Sequence, residues 1–101
     1  MNKKQIREAF REVVFTRDSY RCRKCKETES LDAHHITDRN EMPNGGYVAE
    51  NGISLCPECH KKAEVWHSSK KTNYVKGFHP DDLYRLIGSS LEIAVHKAQS
   101  L

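Results

Sequence analysis

Four cysteines, arranged as two closely spaced pairs, constrain the fold of this 101-residue chain more than any other feature. Cys22 pairs with Cys25 and Cys56 with Cys59; each pair encloses two residues, and 30 residues separate the pairs. Two thiolates on one tight turn fit two corners of a tetrahedron, so two such turns predict a structural Zn²⁺ site. Two disulfides, a redox dithiol and buried thiols without a role are the alternatives; zinc fits two pairs of this spacing best.

A zinc ion would also supply stability that the composition lacks. Only 37% of the residues are hydrophobic, and the mean hydropathy is −0.81. Folding about 100 residues costs on the order of 100–200 kcal/mol of conformational entropy, whereas zinc contributes roughly 10–16 kcal/mol in small zinc-binding peptides. Residues 1–101 are therefore expected to form one domain that zinc holds together.

The histidine after the second cysteine pair raises a competing interpretation. Residues 56–60 also have the CxxCH pattern of c-type haem attachment. A haem there would require export, and it would leave Cys22 and Cys25 without a role. The sequence shows neither an apolar signal core nor a run of the roughly 18–20 apolar residues that span a membrane. We therefore expect a cytoplasmic zinc protein that has no membrane partner.

Apolar periodicity and proline positions predict three helices. Apolar side chains recur at helical spacing over Ile6–Val14, with Val13 on the same face, which predicts an N-terminal helix. Pro57 suits a helix start, and a helix is predicted over residues 58–67. A final helix is expected from Pro80, although a mid-helix Gly88 costs about 1 kcal/mol relative to alanine. The residues that this helix would bury are Leu83, Ile87, Leu91, Val95 and Ala98.

Two apolar segments on either side of a turn-rich loop predict strands. Residues 31–36 partly alternate in polarity, and residues 48–55 supply a second candidate strand. The pair Asn51-Gly52 interrupts this second strand and suits a tight turn with positive φ. Residues 40–46 contain Pro, Asn and Gly and are predicted to be a loop, and residues 68–77 are expected to be irregular. The chain is thus expected to be of the α+β class.

Four of the six histidines lie between residues 34 and 67. His34 and His35 are adjacent, so on a strand they would point to opposite faces and have separate roles. His60 directly follows the last cysteine, and Glu64 and His67 lie on the same face of a helix that begins there. A histidine pair between two zinc-binding turns, with another histidine beside the second turn, indicates a second chemical site.

Four segments together carry a specific resemblance over about residues 15–67. They are Arg17-Asp18-x-Tyr20-x-Cys22-x2-Cys25, the segments 31–36 and 50–56, and Pro57-Glu58-Cys59-His60-Lys61-Lys62-Ala63. In this order they closely resemble the HNH endonucleases of the ββα-metal group. The resemblance implies a small α+β, ββα-metal fold in which a four-cysteine zinc site braces a hairpin and a helix. It implies a single nuclease domain over residues 1–101, with an N-terminal helix and a helical extension at 80–101.

The same resemblance assigns roles to the histidines and to one asparagine. It implies a metal-dependent hydrolase that cuts DNA phosphodiesters to 5′-phosphate and 3′-hydroxyl ends. His35 would be the general base that takes a proton from water. His34 and His60 would hold the catalytic metal, and Asn51 would tie the hairpin loop together and orient His35.

The identity of the metal and a third ligand are less constrained. Two imidazole ligands predict that Mn²⁺, Co²⁺ or Ni²⁺ competes with Mg²⁺ at the catalytic site. Some relatives carry a second helix histidine four residues after the first, where this chain has Glu64, with His67 three residues further on. The sequence leaves the third ligand open between these two.

The charge distribution predicts DNA, most simply double-stranded DNA, as the partner. Residues 1–26 hold nine basic and three acidic side chains, residues 27–59 one basic and seven acidic, and residues 60–79 five basic and one acidic. Basic flanks suit the phosphate backbone, and an acidic centre suits cations. The candidate phosphate contacts are Lys3, Lys4, Arg7, Arg17, Arg21, Arg23, Lys24, Lys61, Lys62, Lys70 and Lys71.

A non-catalytic, zinc-ribbon-like module that binds nucleic acid or protein is the alternative function. The trio His34, His35 and His60 distinguishes the two, because a binding module has no need of it. A homodimer through the helix from residue 80 is a further expected partnership, as are phage packaging or other DNA-processing proteins, since small stand-alone HNH chains are common in phages.

Overall fold

The α+β class predicted from the sequence is confirmed by a computed structural model, which describes residues 1–101. Four helices surround a two-stranded antiparallel sheet. In chain order the elements are α1 (Lys3–Arg17), β1 (Asp32–His35), β2 (Gly52–Leu55), α2 (Pro57–Ser68), α3 (Pro80–Leu86) and α4 (Leu91–Gln99). None of the helices has the length and apolar character needed to cross a bilayer.

Helix α1 begins at a capping box and packs against the hairpin. The Asn2 side chain accepts a hydrogen bond from the Gln5 amide, and the Gln5 side chain accepts one from the Asn2 amide. Phe10 and Val14 are buried as the periodicity predicts, whereas Val13 is half-exposed. The apolar face is therefore narrower than predicted.

The two strands form a short hairpin that separates the adjacent histidines. His34 lies opposite Ile53, and His35 lies opposite Gly52. A Cβ atom on this glycine would lie 2.5 Å from the Val14 side chain, so only glycine lets α1 pack this closely. Because successive strand residues point to opposite faces, His34 faces α2 and His35 faces α1.

The second strand differs from the prediction. Residues 48–55 do not form one strand, because Ala49–Asn51 is a turn of 3-10 helix and the strand begins only at Gly52. The predicted positive φ at Asn51-Gly52 is also wrong: Gly52 has φ −128°, an extended conformation. Positive φ occurs instead at residues 44–46, inside the predicted loop.

The C-terminal region contains two helices where the sequence predicts one. Gly88 has φ +67°, so the backbone leaves the helical path, and Ser90 caps α4 by accepting a hydrogen bond from the Ile93 amide. The break changes which residues face inward. Leu83 and Ala98 are buried as predicted, but Leu91 is half-exposed.

A buried carboxylate joins α1 to the hairpin. The Asp18 side chain has no exposed surface and accepts hydrogen bonds from Arg17, from Arg23 and from the backbone amide of Ser54, at 2.8 to 2.9 Å. Burial opposes ionisation, but these hydrogen bonds hold the pKa of Asp18 below its usual value. The carboxylate therefore stays charged and links three parts of the chain.

Replacing this carboxylate should destabilise the fold. Asp18→Asn keeps the shape but places an amide against two guanidinium groups, so we expect the free energy of unfolding to fall by about 3 kcal/mol. Urea unfolding of the zinc-loaded protein measures the change. Glu8→Gln, on the exposed side of the same helix, is the matched control, and equal unfolding midpoints for the two variants would contradict the structural role of Asp18.

Candidate metal centres and active-site cleft

The four cysteines form one cluster at the junction of the N-terminal segment and α2. Their sulfur atoms all lie within 4.8 Å of one another, and Cys25 Sγ is 3.5 Å from Cys56 Sγ. Tetrahedral zinc, with Zn–S bonds of about 2.3 Å, places its sulfurs about 3.8 Å apart. The thiols form no disulfide. The cluster therefore has the size and composition of a structural zinc site.

The electrostatics of the thiols also favour a cation. Burial opposes ionisation of Cys22, but backbone amides, that of Cys25 first, lower its pKa to about 7. Burial and the neighbouring sulfurs raise the pKa of Cys59. Four thiolates this close are stable only around a positive ion. Because Cys56 and Cys59 belong to this cluster, the geometry disfavours haem attachment at residues 56–60.

A second cluster contains two histidines and one glutamate. Donor atoms of His34, His60 and Glu64 all lie within 4.8 Å of one another. Glu64 Oε1 is 3.3 Å from His34 Nδ1 and 3.2 Å from His60 Nε2. Of the two residues left open as a third ligand, Glu64 joins the cluster. His67 instead donates from Nε2 to the backbone carbonyl of His35, at 3.2 Å.

The charges in this cluster suit a divalent metal ion. Burial lowers the pKa of His34, so its imidazole is neutral. The hydrogen bond with His34 lowers the pKa of Glu64 to about 2, which keeps this carboxylate ionised. Two imidazoles and one carboxylate are a donor set that first-row divalent metals accept. The residues present therefore fit the metal that the sequence predicts.

His35 lies on the other face of the hairpin, between two aromatic rings. Its ring stacks on Phe10 with the centroids 4.5 Å apart, and it meets Tyr47 edge to face at 4.9 Å. Burial lowers the pKa of His35 to about 4, so the imidazole is neutral at neutral pH and can accept a proton. Nε2 is buried without a hydrogen-bond partner, which leaves Nδ1 as the nitrogen that can meet water.

Asn51 holds the hairpin loop and does not touch His35. Its side chain accepts hydrogen bonds from the Thr37 amide and the Tyr84 hydroxyl, and it donates to the carbonyls of Thr37 and Gly46. The asparagine is fully buried. Its effect on His35 passes through the backbone, because the side chain bonds Thr37 and the Asn51 carbonyl accepts a hydrogen bond from the amide of Ile36, next to His35.

One cleft of about 360 Å³ contains both the second cluster and His35. Phe10, Arg39 and Tyr47 also line it. The periodicity predicts that Phe10 is buried but not that it contacts His35, and no sequence pattern gives Arg39 or Tyr47 a role. These residues come from α1 and from the loop between the strands, so they meet His35 only when the chain folds.

The structure divides the predicted phosphate contacts into two groups. Arg17 and Arg23 bind Asp18 and backbone carbonyls, and Lys24 donates to the Gly77 carbonyl, so these three serve the fold. Lys71 pairs with Glu41. Exposed predicted contacts that form no ion pair are Lys3, Lys4, Arg7, Arg21, Lys61, Lys62 and Lys70.

The hairpin, the following helix and the two clusters of candidate metal ligands define a small ββα domain with two candidate metal sites. Residues 22–65 match the family model described as HNH endonuclease, so the chain contains an HNH domain. This match confirms the resemblance found in the sequence. Neither the curated proteins nor the solved structures include a match to the chain.

Proposed function

We propose that this protein is a metal-dependent DNA endonuclease. One observation carries the proposal: the cleft that holds the His34, His60 and Glu64 cluster also holds His35, a neutral imidazole with no ion-pair partner. The HNH domain supports a nuclease. A module that only binds DNA has no use for a metal-ligand cluster beside a proton acceptor.

The residues divide the work of phosphodiester hydrolysis. His35 takes a proton from water, which then attacks the phosphorus, and its stacking on Phe10 holds the ring in place. His34, His60 and Glu64 hold a divalent cation. Such a cation, when bound, neutralises charge on the phosphate and on the leaving 3′-oxygen. The bond from phosphorus to the 3′-oxygen breaks, and this oxygen takes up a proton from the solvent, so the products are a 5′-phosphate and a 3′-hydroxyl.

Nicking of supercoiled plasmid tests the function directly. The zinc-loaded protein is incubated with plasmid and Mg²⁺, Mn²⁺, Co²⁺ or Ni²⁺ in turn, and open-circular product is measured. We expect nicking with more than one of these ions because the donor set contains two imidazoles. A protein that retains zinc but is inert with all four would instead be a binding module.

Glu64→Gln should weaken binding of the catalytic metal. The variant removes the one charged donor of the cluster, so half-maximal nicking should require at least about 10-fold more Mn²⁺. Glu58→Gln, at an exposed position on the same helix, is the control and should behave as the parent protein. An unchanged Mn²⁺ requirement for Glu64→Gln would exclude Glu64 as a ligand. Calorimetric titration with Mn²⁺ gives an independent measure.

A further inference from the structure

The active-site cleft extends past His35 to a group of arginines. Arg7, Arg11 and Arg39 line it together with the carboxylates of Asp32 and Asp38. None of the three arginines forms an ion pair with a carboxylate, unlike Arg17 and Arg23 at Asp18. A cleft with unpaired guanidinium groups favours an anionic ligand.

Two of these arginines line the cleft together with Tyr47. Arg39 first, and Arg7 next, lower the pKa of Tyr47. The Tyr47 ring lies 4.9 Å from that of His35, measured between centroids. Arg11 differs, because its guanidinium lies over the Phe15 ring at 5.5 Å. Arg7 and Arg39 thus lie in the same cleft as the proton acceptor.

Helix α1 places one member of this pair. Arg7 and Phe10 are three residues apart, so they share one face of the helix. Phe10 is buried against Gly52 and stacks on His35, which determines the position of the helix relative to the cleft. Residues 3–17 lie outside the segment that matches the HNH family. The cleft of this chain is therefore incomplete without α1.

We propose that Arg7 and Arg39, which line the same cleft as His35, bind the phosphate that is cleaved. The proposal rests on the proposed nuclease function and adds a substrate-binding pair to it. A guanidinium group donates two parallel hydrogen bonds to a phosphate, and two such groups cover two of its oxygens. Their charge also stabilises the additional negative charge of the transition state.

Single-charge variants test the pair. Arg7→Gln and Arg39→Gln are compared with Lys97→Gln, which removes the same charge from the exposed surface of α4, outside the cleft. We expect kcat at saturating duplex to fall about 100-fold for each arginine variant and to stay within about twofold for Lys97→Gln. Arg39→Lys should restore part of the loss, because it returns the charge without the planar fork. Circular dichroism checks folding, and Arg39→Gln serves alone if Arg7→Gln disturbs α1.

Binding separates this proposal from the proposed function. Fluorescence anisotropy of a labelled duplex is measured with His35→Ala alone and combined with each charge variant, and without added divalent metal, so that cleavage does not interfere. If the parent protein cuts nothing, which defeats only the nuclease function, weaker binding with either arginine change than with Lys97→Gln still supports a phosphate site. If the parent cuts and the arginine variants keep the kcat of Lys97→Gln, the pair does not bind the cleaved phosphate, whatever their KM.

Discussion

Removal of zinc is expected to unfold this protein. The cysteine cluster joins the turn after α1 to the start of α2, and Cys22, Cys56 and Cys59 are buried in the hydrophobic core. Zinc binding of roughly 10–16 kcal/mol is as large as the whole stability of a typical domain, about 5–15 kcal/mol. We therefore expect that a strong chelator abolishes the helical circular dichroism signal and that Cys59→Ser prevents stable folding.

The zinc experiment has an internal control. His60→Ala removes a ligand of the second cluster, which shares no residue with the cysteine cluster, so this variant should unfold at the same chelator concentration as the parent. Returning zinc should restore the helical signal in both. A helical signal that survives after metal analysis shows no bound zinc would contradict the expectation.

His35→Ala is expected to reduce the nicking rate about 1000-fold. A positioned general base contributes roughly 10²–10⁴-fold to such reactions. No other histidine of the cleft could replace His35, because none combines a position outside the metal cluster with stacking on a phenylalanine ring. The ring is partly buried and forms no side-chain hydrogen bond, so its loss should leave duplex binding and zinc content unchanged. Plasmid nicking at saturating Mn²⁺ measures the rate.

His96→Ala is the matched control, because His96 is exposed on α4 and lies outside the cleft. It should nick plasmid at the parent rate. If His35→Ala cuts as fast as His96→Ala, His35 is not the general base.

Much of the fold followed from local chemistry. The cysteine spacing predicts the cluster, because each pair needs only one tight turn to bring two sulfurs together. Apolar periodicity predicts α1, because a helix has about 3.6 residues per turn. Pro57 marks the start of α2, because the first residues of a helix need no amide hydrogen. Strand alternation also predicts the opposite orientations of His34 and His35.

The sequence predicts the structure wrongly at short segments whose conformation depends on contacts with other parts of the chain. At Gly88 it indicates only a weak point of one helix, whereas the positive φ of this glycine ends α3 and lets Leu91 turn outward. The 3-10 turn at Ala49–Asn51 shortens the second strand, and the Asn51 side chain then bonds backbone groups of Thr37 and Gly46 across the loop. Propensity cannot predict such contacts, since they depend on residues distant in the sequence.

The sequence by itself determined the α+β class, the cysteine cluster and the HNH motif, because each depends on residue types at short, regular spacings. Only the tertiary structure placed Glu64, and not His67, with His34 and His60 as the third member of their cluster. It alone brought Phe10, Tyr47 and the two arginines around His35. The physical reason is packing: these side chains come from separate elements, and their positions are defined only when α1 closes on the hairpin at Gly52.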